Sequence, residues 1–198
     1  MTLPSLLRHL GIHAPRGVAV DGRILTLRQA TTTGTAITPL APHTFHDGPD
    51  PEPEGPPDSD PWWRADPASR MADTAAMATG FPGFSLTDPN GAGYDWTGIL
   101  DTGRGWFRVL VLARRDHSIP VVRVLSPRRL GRDERGRFRR AEHLYDSGAL
   151  CLADTVDWDP ARHTTAVAVA WTAHWLAAYT EWRLSGMWPV EGYRPHAA

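Results

Sequence analysis

The chain of 198 residues contains no lysine and a single cysteine, Cys151. A lone thiol cannot form an intramolecular disulfide or a multi-thiolate metal site, and it suits a reducing compartment. It leaves nucleophilic chemistry open. Long apolar runs are also missing: nothing approaches the roughly twenty residues that a membrane-spanning helix needs. The apolar start Met1-Thr-Leu-Pro-Ser-Leu-Leu-Arg8 lacks the h-region and cleavage site of a secretory signal. A formal net charge of −1 lacks the cationic excess of a general nucleic-acid or membrane binder. The expectation is a cytoplasmic protein with neither nucleic acid nor membrane as partner. His163 and His174 show no ligand spacing and have no second thiol to join, so no metal is expected. The missing lysine has two compatible readings, a codon preference for arginine and the removal of amines that would attack an activated acyl group.

Residues 47–61 hold six acidic residues and six prolines with nothing to bury, which reads as a linker. It divides an N-terminal accessory arm, residues 1–46, from a main domain at 62–198. In the arm, Leu3 to Leu10 can make a short helix, and Val18 to Leu27 reads as two strands about an Asp21-Gly22 turn. In the main domain, Asp66-Pro67 starts a helix that stops at Gly80. Three runs, Tyr94–Leu100, Trp106–Ala113 and Val121–Leu125, are separated by turn residues and predict an antiparallel meander. Pro127 to Arg140 carries seven arginines against Asp133 and Glu134 and reads as a solvated loop, with attraction of an acidic partner or of the acidic linker as its sharper reading. From Ala161 to Ser185, Val167, Trp171, Trp175, Ala178 and Trp182 recur at helical steps, so these tryptophans, with Trp188 just beyond, are expected in the core rather than as a stacking platform. The class is α+β.

The cysteine lies in His143-Leu-Tyr-Asp-Ser-Gly-Ala-Leu-Cys151-Leu152, followed by Trp158-Asp-Pro-Ala161. A tyrosine six residues before the cysteine, a glycine three before it, flanking aliphatic residues and the downstream Trp-x-Pro-Ala resemble the active-site segment of ubiquitin-conjugating enzymes. Aligning Tyr145, Gly148, Cys151 and Leu152 puts His143 at that family's asparagine and Ala141 at its first histidine, so the His-Pro-Asn triplet is absent. The chain is thus similar to a divergent, bacterial branch of conjugating-enzyme-like proteins.

The resemblance covers roughly residues 67–188 and implies a ubiquitin-conjugating-type fold: helix, β-meander, irregular cysteine-bearing segment, C-terminal helix. It also implies that Cys151 carries a ubiquitin-like modifier as a thioester, received from an activating enzyme and passed to an amine of a target, without an organic cofactor. His143 would take the asparagine's role of donating to the oxyanion, and its imidazole could also accept the amine's proton. Tyr145 and Gly148 would shape the loop, and Trp158 would wedge it against the core. Of Asp154, Asp157 and Asp159, Asp154 is the best placed to orient an incoming amine. Residue by residue, plainer readings stand beside these: a structural thiol, a turn histidine bonded to backbone, a solvated carboxylate. Two other functions remain in view, a non-catalytic binding module on the same fold and a hydrolase pairing Cys151 with His143 or His163.

Overall fold

The computed structural model describes residues 15–45, 60–87 and 93–194. The Leu3–Leu10 helix and nearly all of the acidic stretch lie outside the described residues.

The first described segment begins with strands β1 (Arg16–Ala19) and β2 (Ile24–Thr26), joined by the Asp21-Gly22 turn. Gly22 has φ +104°, a conformation that a side chain would strain. Helix α1 (Leu27–Thr33) follows at once. Its start is a capping box in which the Thr26 hydroxyl accepts from the Gln29 N–H and the Gln29 side chain accepts from the Thr26 N–H. Strand β3 (Ile37–Pro39) then pairs with β1, giving the order β2-β1-β3, and β4 (His43–Thr44) closes the segment. Residues 15–45, expected as an accessory arm, contribute Val18, Leu40 and Phe45 to the same buried cluster as the rest of the chain.

After Asp60 come α2 (Trp62–Ala65) and α3 (Pro67–Gly80). Asp66 caps α3 by accepting from the N–H groups of Ala68 and Ser69, and Pro67 occupies the first helical position, where no N–H is missed. The meander is present as a four-stranded antiparallel sheet in the order β5 (Ser85–Leu86), β6 (Asp95–Asp101), β7 (Trp106–Leu112), β8 (Val121–Ser126). Alternation sets its faces. Trp96, Leu100, Phe107, Val109, Val111 and Val122 point inward, while Ile99, Trp106, Arg108 and Arg123 face outward.

The arginine-rich stretch differs from the loop expected. It is exposed, but it forms a hairpin of β9 (Gly131–Glu134) and β10 (Arg137–Arg140). The reason is local: Arg135 and Gly136 take φ of +51° and +78°, as a two-residue hairpin turn of the primed type requires.

Helix α4 (Thr165–Ser185) runs through the centre, and Gly186 ends it in the left-handed conformation at φ +80°. Its polarity is not one-sided. Trp171, Trp175 and Trp182 are fully buried, as expected, and so are Leu176 and Thr172, while His174 and Thr180 are nearly so. The Thr172 and Thr180 hydroxyls are satisfied by donating to the carbonyls of Ala168 and Leu176 one turn back. A helix apolar on all sides must be covered on all sides. Strands β1–β3 and α3 pack against it, and the inner face of the four-stranded sheet reaches it through Phe107 against Tyr179. Its N-terminus is capped from a distance: the Asp73 carboxylate on α3 accepts the Thr165 N–H at 2.5 Å. Strand β11 (Gly192–Tyr193) returns beside β4.

Candidate functional site

The cysteine segment forms no regular strand, as expected, but it is closed as a tight hairpin by an isolated bridge. The Gly148 N–H donates to the Tyr145 carbonyl, the Tyr145 N–H to Ala149, and the Cys151 N–H to the His143 carbonyl at 3.0 Å. Leu144 faces Leu150 across it. Gly148, at φ +82°, supplies the left-handed residue that such a turn needs. The hairpin is tied to the sheet by the Leu150 N–H on the Val122 carbonyl. The Arg140 guanidinium donates to the Tyr145 carbonyl from outside.

His143 also sits at positive φ, +52°, uncommon for a residue with a Cβ. Its carbonyl explains how that is held, because it accepts both the Cys151 N–H and the indole N–H of Trp175, the latter at 3.1 Å. The imidazole packs between Phe45 and Trp188, ring centroids 5.5 and 5.0 Å away, with Nε2 3.8 Å from a carboxylate oxygen of Glu191. The side chain is 3% exposed. The His143 backbone carbonyl thus holds the Cys151 N–H, and its ring packs in an aromatic box of Phe45 and Trp188. Cys151 is itself 2% exposed, so any reaction at Sγ needs local opening.

Beyond the cysteine the chain is pinned to β4. The Asp154 N–H donates to the Thr44 carbonyl, and the one-turn 3₁₀ segment Thr155–Asp157 brings the Asp157 carboxylate onto the Thr44 N–H at 2.8 Å. Arg194 completes the clamp, donating to Asp157 at 2.7 Å and to the Thr44 hydroxyl at 2.8 Å. Among the three aspartates, Asp157 clamps Thr44, Asp159 accepts the Ala161 N–H, and Asp154 is half-buried three residues after Cys151. Trp158 is in the core cluster, its indole N–H donating to the His117 carbonyl at 2.8 Å. His163 lies against Trp158 and Trp171 and accepts the Asp159 N–H through Nδ1, and burial lowers its pKa. Thr44, Phe45, Glu191 and Arg194 had no sequence signal, whereas Trp188, expected in the core, is partly buried against it. They come from residues 43–45 and 188–194 and meet because β4 pairs with β11.

Behind Phe45 lies a buried histidine pair. The Ala41 carbonyl can only accept, so His43 Nδ1 carries the proton toward it, at 2.9 Å, and its Nε2 accepts from Nδ1 of His174 at 3.0 Å. Burial dominates both rings, pushing His43 down to about 4 and His174 well below its ordinary value. Both are neutral at physiological pH. No group of three or more His, Cys, Asp or Glu side chains among the described residues is arranged to hold a metal ion.

A family model for Type II CBASS E2 proteins matches residues 73–196, from the middle of α3 past the clamp. The chain belongs to that family. Membership assigns it an E2-like conjugation role in CBASS, and the matched region contains the cysteine hairpin, Asp154, Trp158 and all of α4. The part of the site built by β4 lies before the matched region. No curated protein and no solved structure matches the chain. No helix among the described residues is long and apolar enough to cross a membrane.

Proposed function

We propose that this CBASS E2 protein carries a ubiquitin-like modifier as a thioester on Cys151 and transfers it to an amine of a target protein. The observation that carries the reading is the placement of the only cysteine at the end of a hairpin whose geometry is fixed by the His143 carbonyl, in a chain of an E2 family. The order of α3, the β5–β8 sheet, the cysteine hairpin and α4 supports a ubiquitin-conjugating-type arrangement.

Loading is thiol exchange. The Cys151 thiolate attacks the carbonyl carbon of the modifier's thioester on an activating enzyme, a new C–S bond forms, the old one breaks, and the activating enzyme's cysteine leaves as a thiolate. In discharge, the target amine attacks the same carbonyl, the C–N bond forms, Cys151 leaves as a thiolate, and the amine's proton passes to a base or to water. The absence of lysine protects the loaded form, because the chain has no ε-amine of its own to intercept the acyl group. His143 positions the cysteine through its backbone. Its ring serves discharge once the aromatic box opens, donating to the oxyanion or taking the proton. Tyr145 and Gly148 shape the hairpin, Trp158 anchors the chain after it, and Asp154 orients the amine. A reducing cytoplasm fits a free thiol at this position.

The near-complete burial of Cys151 favours one second reading, an E2-like module that binds its partners without carrying an acyl group. Single-turnover assays separate the two. With an activating enzyme, ATP and modifier, the wild type is expected to form a reductant-sensitive adduct that Cys151→Ala lacks. His143→Ala should load normally and discharge about a hundredfold more slowly, the usual scale for one oxyanion donor or one acid–base group. His143→Asn should recover much of the discharge rate if donation is the ring's role. An adduct that persists in Cys151→Ala sinks the carrier reading, and equal discharge by wild type and His143→Ala removes His143 from the chemistry.

A further inference from the structure

A groove of about 240 Å³ opens beside the cysteine hairpin, between β8 and the β9–β10 hairpin. Its apolar lining is Val124, Leu130, Leu144 and the half-exposed Phe138, and its basic lining is Arg128, Arg129 and Arg140. Leu144 and Gly148 belong to the cysteine hairpin itself, and Leu144 pairs across it with Leu150, the residue before Cys151. One cross-strand step of about 5 Å and one chain step of about 4 Å put the groove within roughly 10 Å of Cys151.

The charge on the rim is largely unspent. Glu134, one of the two acids within the arginine-rich stretch, is engaged by Arg132 and Arg139, and Glu142 is engaged by Arg139. Arg140 donates to the Tyr145 carbonyl, and its carboxylate contact is with the fully exposed Asp146, which water screens. Arg128 and Arg129 pair with no carboxylate among the described residues, and Arg129 is held over the Phe138 ring at 4.0 Å. Arg128, Arg129 and Arg140 thus line the groove beside its apolar residues, and the lining includes no carboxylate.

We infer that this groove is a subsite for an acidic peptide tail, the stretch of the carried protein that lies just before the carboxyl terminus joined to Cys151. The inference rests on the carrier reading. A tail acylated on Cys151 and running extended at about 3.3 Å per residue reaches the groove with the residues roughly three to five places before its end. An aspartate or glutamate there meets Arg128 and Arg129 in charge-assisted hydrogen bonds, and a neighbouring apolar side chain lies on Leu130 and Leu144. A nucleic acid fits less well, because the groove is short and Arg129 already covers Phe138, the one aromatic ring lining it.

The test uses the full chain and two synthetic hexapeptides ending in glycine, one with glutamate and one with glutamine at the third to fifth places from the end. As free fluorescent peptides they report binding by anisotropy. As thioesters of a small thiol they report loading: the Cys151 thiolate displaces the small thiolate, and intact mass gives the adduct. At about 50 mM salt the glutamate peptide is expected to bind and load about tenfold better than the glutamine peptide, with the advantage shrinking at about 300 mM. The double variant Arg128→Glu/Arg129→Glu, both sites exposed, should bring the preference to near one. Equal binding and loading of the two peptides by the wild type overturns the inference, as does a single-stranded oligonucleotide that binds through Arg128 and Arg129 where the peptides do not. If neither thioester loads Cys151 while the glutamate preference in binding persists and disappears in the double variant, the carrier reading fails and the acidic-peptide groove stands.

Discussion

Reactivity of Cys151 under native conditions measures how firmly the hairpin is shut, and Trp175 is the side chain to perturb. Its indole N–H donates to the His143 carbonyl, the same oxygen that holds the Cys151 N–H, and its ring is fully buried, stacked on Tyr179 at 5.5 Å and 16° and touching Trp188 at 5.3 Å. Trp175→Ala would cost about 3–5 kcal/mol and threaten the fold. Trp175→Phe keeps an aromatic ring and removes the donor. The His143 carbonyl still accepts from Cys151, so no buried acceptor is orphaned and the hydrogen-bond loss is about 1 kcal/mol, within a total of about 1–3 kcal/mol once the smaller ring is counted. If opening breaks this bond, 1 kcal/mol raises the open population about fivefold, and the rate of labelling by a thiol reagent should rise by the same factor. The single cysteine leaves no background. Trp182→Phe is the matched control: that tryptophan is equally buried on the same helix, but its indole N–H bonds to nothing among the described residues. Trp182→Phe should lower the melting temperature without accelerating labelling. Wild-type labelling rates in Trp175→Phe would refute the local-hinge argument, and so would equal acceleration in both variants per unit of stability lost, which would mean that the thiol appears only on global unfolding.

The buried histidine pair sets an acid limit. The unfolded chain takes up protons near pH 6.5 while folded His43 waits until about 4, so stability is full above that window and falls as pH drops through it, on the order of 3 kcal/mol from His43 alone. Denaturant midpoints at pH 7 and pH 4.5 check this, and a flat profile would contradict it. Asp73, whose carboxyl burial pushes upward, caps α4 where Thr164 offers no side-chain bond. Asp73→Ala should cost about 1–3 kcal/mol and Asp73→Asn much less, since the amide still accepts from Thr165; equal losses measured by urea melts would show that the cap contributes nothing.

The elements that could be read along the chain are those whose signals are local. Asp66-Pro67 and Gly80 bound α3, the alternation of Trp96, Leu100, Phe107, Val109 and Val111 marks β6 and β7, and the steps between Val167 and Trp182 mark α4. The β9–β10 hairpin was missed because seven arginines look like solvent-facing loop, whereas its turn depended on the backbone conformation of Arg135 and Gly136.

The sequence by itself determined the lone cysteine, the turn-forming Gly148 beside it, the absence of lysine and the resemblance that family membership bears out. Only the tertiary structure decided that Cys151 is covered, that the His143 ring faces Phe45, Trp188 and Glu191 instead of solvent, and that Thr44, Asp157 and Arg194 lock the turn after the cysteine. The physical reason is sequence separation. Capping, turn and periodicity effects act within a few residues, while these contacts join positions from 37 residues apart (Asp157 and Arg194) to 150 (Thr44 and Arg194) and exist only after α4 has gathered residues 15–45 and 186–194 around its apolar surface.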